Sequence, residues 1–185
     1  MGLLDAFRKK DKTAEPEIDP LKDLVLAKLR VGYLVDYDLK TWQVTAYNRY
    51  RFNDGATTEE WELTAGREKR YLELSQDDGD VWCLARKVPI GALEGNVRNH
   101  IIEHDDPPDQ VIHQGTTYYL DSSVGGKMFA GGGGAGQELI KWEFIDEDDE
   151  NFLTVEQWGE TEFEASAGTY VEDYQFTNIL PGKLE

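Results

Sequence analysis

Two histidines and a glutamate form the sharpest chemical motif in this chain. His100-Ile101-Ile102-Glu103-His104 has the spacing H-x-x-E-H. On a helix, His100 and His104 lie one turn apart on the same face, where they can hold zinc while Glu103 activates water. A catalytic zinc site also needs a third protein ligand, for which His113 or a carboxylate is the candidate. The segment is short and bounded by a glycine and a proline, so a solvated connector is the preferred interpretation. A metal-dependent hydrolase is the alternative.

Two segments of opposite charge are candidates for binding. The acidic segment is Asp146-Glu147-Asp148-Asp149-Glu150, and the basic segment contributes Arg67, Lys69 and Arg70. Carboxylates suit Ca²⁺ or a polyamine, so the acidic segment predicts binding of a small cation. It lacks the ligand spacing and the glycine of an EF-hand loop. The opposite charges also predict attraction between the two segments, within one molecule or between molecules.

Other catalytic patterns are missing from the sequence. There is no Ser-His-Asp order, no CxxC pair and no G-x-S-x-G elbow, and Gly131–Gly134 is not followed by the Lys-Ser/Thr of a phosphate loop. Cys83 is the only cysteine, which excludes an internal disulfide and favours a reducing, cytoplasmic compartment. We therefore expect a non-enzymatic binding or accessory module that has no cofactor and engages a protein partner.

Charge is distributed unevenly along the chain. The formal net charge is −18, and residues 100–185 hold 3 basic and 19 acidic residues. Binding to phosphate backbones requires patches of Lys and Arg, so nucleic acid is not an expected partner. Polycations, basic protein surfaces and divalent metals are electrostatically permitted.

The first residues form a basic amphipathic segment. Leu3, Leu4 and Phe7 fall on one helical face, and Arg8, Lys9 and Lys10 follow them. Burial of three large side chains and attraction to anionic lipid favour a tether to a partner or weak contact with a membrane surface through residues 1–12. Residues 1–20 are therefore interpreted as tail and linker, and the protein as cytoplasmic, peripheral to the membrane if the tail binds there.

The rest of the chain contains one pattern twice. Equivalent pairs are Thr41–Val44 with Thr117–Leu120 at an offset of 76, then Trp61–Leu63 with Trp142–Phe144, Tyr71–Leu72 with Phe152–Leu153, and Trp82 with Phe163 at an offset of 81. The change of offset predicts five extra residues in the second copy, in the segment that contains Gly131–Gly134. Such self-similarity predicts two copies of one β unit around a shared core.

Alternation of apolar and polar residues predicts strands in both copies. Trp61 and Leu63 alternate with Glu60 and Glu62, and Glu73 lies between two leucines, so we expect these carboxylates to face solvent. The predicted fold is all-β and mainly antiparallel, with duplicated four-strand units closed as a barrel or a sandwich. A short helix at 21–29 precedes it. The predicted domain spans 21–181, with pseudo-repeats at about 31–88 and 110–172 and a connector at 89–109.

Two stretches carry a family resemblance. They are Val31–Tyr37 continuing to Trp61–Leu63 and Tyr71–Leu74, and Phe152–Gly159 followed by Gly168 and Ile179–Gly182. Together they resemble a bacterial family known as domain of unknown function 4178, over about residues 30–181. The resemblance supplies no catalytic residues. It implies an accessory role, linked to a partner or to polyamines, because members of that family tend to be encoded near aminopropyltransferase-like enzymes and small membrane proteins.

Overall fold

The computed structural model describes residues 19, 24–76 and 79–184, most of which lie in antiparallel strands. The first half contains β1 (Leu34–Tyr37), β2 (Lys40–Phe52), β3 (Thr57–Ala65), β4 (Glu68–Gln76) and β5 (Asp80–Val88). The second half contains β6 (Gln110–His113), β7 (Thr116–Ala130), β8 (Gln137–Ile145), β9 (Asn151–Gln157) and β10 (Phe163–Val171). The short helix α1 (Val97–His104) connects the halves, and β11 (Thr177–Leu180) ends the fold.

Eight of these strands close into a barrel. β2–β5 pair in chain order, β7–β10 do the same, and the halves join where β5 pairs with β10 and β2 pairs with β7. Gly126 permits the β2–β7 junction, because a Cβ there would lie 2.7 Å from the carbonyl oxygen of Arg51. The all-β prediction is confirmed, and the closure is that of a barrel. β1, β6 and β11 lie outside the ring as added strands.

The strand register repeats between the halves and confirms the duplication. Val35 pairs with Trp42, and 76 residues later Val111 pairs with Tyr118. Register shifts follow Val44 and Leu120, which are related by the same offset. Trp61 pairs with Leu72 on β4, and Trp142, 81 residues later, pairs with Val155 on β9. The five extra residues lie in the β7–β8 hairpin, where β7 is longer than β2 and the glycine-containing loop is longer than the β2–β3 loop.

One predicted equivalence is wrong. Trp142, the counterpart of Trp61, pairs with Val155, so Val155 and not Leu153 occupies the position of Leu72. Leu72 pairs with Leu84, and Val155 pairs with Ala165, so β5 and β10 are again related by 81 residues and Phe163 is the counterpart of Trp82. The predicted equivalence of Tyr71–Leu72 with Phe152–Leu153 is therefore displaced by two residues, because the β8–β9 turn is longer than the β3–β4 turn.

Most of the buried apolar residues of the strands face outward from the ring and form two separate cores. The first core consists of Leu26, Leu29, Tyr33, Val35, Trp42, Val44, Trp61, Leu63, Leu72, Leu74, Trp82, Leu84, Val171 and Phe176. The second consists of Val88, Leu93, Val97, Ile101, Val111, Tyr118, Trp142, Phe144, Leu153, Val155 and Ala165. Each core is roofed by chain outside the ring, β1 and a 3₁₀ turn in one case and α1 with β6 in the other. Burial of these aromatics and aliphatics supplies the main driving force for folding.

The connector between the halves is more ordered than predicted. Residues 89–109 were interpreted as a solvated linker, yet Val97 and Ile101 of α1 are fully buried in the second core. Burial of one apolar face explains why so short a helix forms. The short helix predicted before β1 is present as a 3₁₀ turn, Leu26–Lys28, and residues 20–23 lie outside the described residues. In the described part of the chain, no helix is long and apolar enough to cross a membrane.

The β1–β2 and β6–β7 turns provide a matched test of the duplication. Asp38 and Leu39 have positive φ, as do Gln114 and Gly115 at the equivalent positions, but Leu39 is fully exposed and carries a side chain where the second copy has glycine. A large side chain in this conformation costs about 1 kcal/mol relative to glycine.

Leu39→Gly is therefore expected to raise the free energy of unfolding by about 1 kcal/mol, and Gly115→Leu is expected to lower it by a similar amount. Urea unfolding measures both variants. Effects of the same sign would contradict the equivalence of the two turns.

Candidate ligand site in the barrel lumen

The inner face of the barrel is charged. Lys141 of β8 lies 3.4 Å from Glu73 of β4, although these strands are not neighbours in the ring. The two side chains can meet only across the interior. The strand register places Glu60, Glu156 and Lys87 on the same inner face, since Glu60 is opposite Glu73 and Glu156 is opposite Lys141. The lumen therefore holds these charged groups, while most of the buried apolar residues pack outside it.

Each lumen lysine is held by two carboxylates. Lys87 Nζ lies 2.7 Å from Glu164 and 3.4 Å from Glu156, and Lys141 Nζ lies 3.4 Å from Glu73 and 3.7 Å from Glu143. Burial lowers the pKa of both lysines, but the surrounding carboxylates outweigh it, so both pKa values end above the ordinary range. Both lysines are thus charged at neutral pH and balance two negative charges in the interior.

Glu60 is left without a cationic partner. Its side chain is 5 % exposed, and it makes no ion pair with any lysine or arginine of the described residues. Asn48 Nδ2 donates a hydrogen bond of 2.8 Å to Oε1, and the Tyr50 hydroxyl lies 3.5 Å away. Burial, followed by the negative charge of Glu73, raises the pKa of Glu60 to about 7, and the charge of Lys87, which forms no ion pair with Glu60, offsets this only in part. A buried carboxylate in this state is a strong acceptor that lacks a direct counter-charge.

A cavity of about 640 Å³ opens beside Glu60 at one end of the barrel. Carboxylates and aromatic rings line it together, namely Glu60, Glu62, Glu162 and Glu164 with Tyr50, Tyr71, Trp158 and Phe163. Lys87 also lines it, and its Nζ lies 5.3 Å from the centre of the Tyr71 ring. The cavity thus already holds one ammonium group between carboxylates and an aromatic ring. Its volume is typical of small-molecule sites.

A second cavity of about 290 Å³ lies at the positions related by the duplication. Glu143 lines it where Glu62 lines the first cavity. The position equivalent to Glu60 is Lys141, so the two acidic groups of this cavity are already paired with a lysine. Cys83 lies here as well, on the lumen face, and burial raises the pKa of its thiol. Only the first cavity has an acid without a partner.

The H-x-x-E-H residues form no three-ligand site. They do lie on a helix, α1, with the rings of His100 and His104 4.6 Å apart, and both Glu103 and His104 are exposed. His113 is buried on β6, where its Nδ1 lies 3.4 Å from the carbonyl oxygen of Ala92. Within residues 24–76 and 79–184, no three His, Cys, Asp or Glu residues are gathered closely enough to hold a metal ion.

The acidic segment forms the β8–β9 turn, and one of its carboxylates is already used. Asp146 is buried and accepts hydrogen bonds from the backbone amides of Glu150 and Asn151 and from the Asn151 side chain. These bonds hold the pKa of Asp146 below its ordinary value. Glu147, Asp148, Asp149 and Glu150 are exposed. Cation binding by this turn stays a prediction.

The structure describes the residues of the basic segment but not those of the tether. Lys69 pairs with Glu62 at 2.9 Å, and the Arg70 guanidinium lies 5.6 Å from the centre of the Trp42 ring. Arg67 lies at the β3–β4 turn, and no ion pair between described residues joins this turn to the acidic one. The tether residues Leu3, Leu4, Phe7, Arg8, Lys9 and Lys10 lie outside the described residues. The tether and the protein partner stay predictions.

The sequence did not reveal the lumen residues, because alternation shows that the two faces of a strand differ but does not show which face meets solvent. Glu60, Glu62 and Glu73 were expected in solvent, but Glu60 is buried and the side chains of Glu62 and Glu73 are mostly covered. The sequence contained one usable signal. Lys87 and Lys141, like these glutamates, occupy strand positions that alternate with apolar residues. Opposite charges at such positions are what ion pairing inside a closed barrel requires.

The fold is thus a closed antiparallel barrel with a charged lumen, built from two copies of one unit. A family model described as Domain of unknown function (DUF4178) matches residues 30–173, so the chain belongs to that family. The resemblance noted from the sequence is confirmed. The chain is also 28% identical over 183 residues to an uncharacterized protein of Aquifex aeolicus (strain VF5), covering 98% of this chain and 99% of the relative. No solved structure matches the chain.

Proposed function

We propose that this protein is a non-enzymatic binding protein that takes a small organic cation, of the polyamine class, into the first lumen cavity. The observation that carries the proposal is Glu60, a buried carboxylate with no cationic partner among the described residues, in the wall of that cavity. A ligand ammonium group bound to Glu60 supplies the missing counter-charge. It also relieves the repulsion between Glu60 and Glu73.

The walls of the cavity favour an alkylammonium over a metal ion. Ca²⁺ requires six to eight oxygen ligands around one point, whereas the carboxylates here are spread along the cavity. Tyr71 already faces the ammonium group of Lys87 inside the cavity, at 5.3 Å. Such rings attract ammonium groups and pack against methylene chains. A linear polyamine places one ammonium on Glu60 and another near the carboxylates at the rim.

The acidic β8–β9 turn is the alternative site for the same ligand, and binding measurements on variants distinguish the two sites. Calorimetry with spermidine at pH 8 and physiological salt is expected to show saturable binding to the wild type. Glu60→Gln is expected to weaken binding at least about tenfold, because the ion pair is lost while the side-chain shape is kept.

The matched control is the double variant Asp148→Asn/Asp149→Asn, which removes charge from the exposed turn and is expected to leave the affinity within about twofold. Loss of binding in this control, with Glu60→Gln unaffected, would move the site to the turn. Absence of binding to the wild type would reject the proposed function. We place this activity in the cytoplasm, because a single cysteine that cannot form an internal disulfide fits a reducing compartment.

A further inference from the structure

A groove on the outside of the barrel has the opposite electrostatic character. It lies over the β5–β10 junction, between the two apolar cores, and has a volume of about 380 Å³. Its walls include Arg70 and Arg86 from the first half and His113, Gln114 and Asn151 from the second. Two guanidinium groups and two side-chain amides give this groove donors, in a chain with a net charge of −18.

Arg86 is the most available of these donors. Its side chain is exposed on the outer face of β5, where its neighbours on the strand are the buried Leu84 and Val88. It makes no hydrogen bond or ion pair with any residue that the structure describes. Arg70 is partly engaged, since Nη1 donates to the carbonyl oxygen of Lys69 and Nη2 lies 3.7 Å from Glu68.

His113 adds a polar atom that has no partner. The residue is 5 % exposed, and its Nε2 is buried without a hydrogen bond to any described group. Nδ1 lies 3.4 Å from the carbonyl oxygen of Ala92, which can only accept, so Nδ1 carries the hydrogen. In the neutral ring, Nε2 therefore presents a lone pair and requires a donor. An unsatisfied buried nitrogen of this kind costs about 1–3 kcal/mol.

We propose that this groove binds inorganic phosphate. Its oxygens accept from Arg86 and Arg70, and the hydroxyl of HPO₄²⁻ donates to His113 Nε2, which a small shift of the groove wall must uncover because the atom is buried in this structure. The remote acidic residues do not prevent this, because their field is screened within about 8 Å at physiological salt. Asp38 is the one carboxylate in the wall of the groove, and Asp146 beyond it is occupied by its own turn.

Calorimetry at constant ionic strength tests the proposal with inorganic phosphate, glycerol 1-phosphate and sulfate. The wild type is expected to bind phosphate with millimolar affinity or better, and to bind sulfate and glycerol 1-phosphate at least about threefold more weakly at pH 8, since neither has an acidic hydroxyl left on its sulfur or phosphorus to donate at that pH. Binding of glycerol 1-phosphate as tight as that of phosphate would contradict the role given to His113.

Three variants locate the site. Arg86→Gln is expected to weaken phosphate binding about tenfold, and Asp38→Asn is expected to strengthen it about threefold by removing a repulsive charge. Arg67→Gln, which removes the same charge outside the groove, is the control and is expected to change nothing. Equal losses in Arg67→Gln and Arg86→Gln, equal affinity for sulfate, or no saturable binding below about 10 mM phosphate would each overturn the proposal. Glu60→Gln is expected to retain phosphate binding, so the lumen proposal is tested separately.

Discussion

Lys141→Met is expected to lower the free energy of unfolding by about 3–5 kcal/mol at pH 8. Removing one partner of a buried ion pair leaves the other as an uncompensated charge, and this costs far more than the pair itself contributes. Lys141 faces Glu73 and Glu143, and its own side chain is only 13 % exposed. Urea unfolding followed by tryptophan fluorescence measures the change.

Two further variants show whether the cost is electrostatic. Lys141→Met/Glu73→Gln removes the stranded charge as well and is expected to recover at least about half of the lost stability. Lys127→Met is the matched control, because Lys127 pairs with Glu138 at 3.1 Å on the surface, and it is expected to cost less than about 1 kcal/mol. Similar losses for Lys141→Met and Lys127→Met would show that the lumen is not the low-dielectric interior described above.

Glu60→Gln is expected to stabilise the protein at pH 8, by about 3 kcal/mol, and to have little effect at pH 5. The pKa of Glu60 is raised from 4.5 to about 7, so between these values the folded protein binds more protons than the unfolded chain. Stability therefore falls as pH rises through this window, and the full cost is present above about pH 7. Glutamine resembles the protonated acid, keeps its oxygen for Asn48, and removes the titration.

The comparison requires unfolding curves for both proteins at several values between pH 5 and pH 8. The difference between the two is expected to grow steadily over that range, and Glu138→Gln, at an exposed carboxylate, is expected to show none of it. A Glu60→Gln protein that is less stable than the wild type at pH 8 would contradict the assignment of Glu60 as an unpaired acid. If removal of the Glu60 charge stabilises the protein, this also fits a carboxylate that is retained for ligand binding rather than for folding.

The sequence predicted the architecture well because the duplication constrained it. The recurrence of Trp61 as Trp142 fixed the equivalence of two hairpins, and the change of offset located the extension of the β7–β8 hairpin. The error at Tyr71–Leu72 arose where the β8–β9 turn is longer than the β3–β4 turn, because a displacement of two residues in a strand keeps the same face and leaves no trace in the alternation.

The candidate site was not predictable in the same way. Alternation assigned the correct faces to Glu60 and Glu73, but which face meets solvent depends on ring closure and on the chain that roofs the outside. Contacts such as that between Lys141 and Glu73 join residues 68 positions apart, and no local pattern encodes them. For the H-x-x-E-H motif the opposite holds. The local prediction of a helix was correct, but the fold places the polar side chains of that helix at the surface.

The most direct test of the lumen site is the titration of the Glu60 side-chain carboxyl by ¹³C NMR, with its resonance assigned by comparison with Glu60→Gln. In the free protein it is expected to titrate at about pH 7. With saturating spermidine, the bound ammonium should lower this midpoint by at least about one pH unit. A Glu60 that titrates near 4.5 in the free protein, or whose midpoint is unchanged by spermidine, would contradict the account.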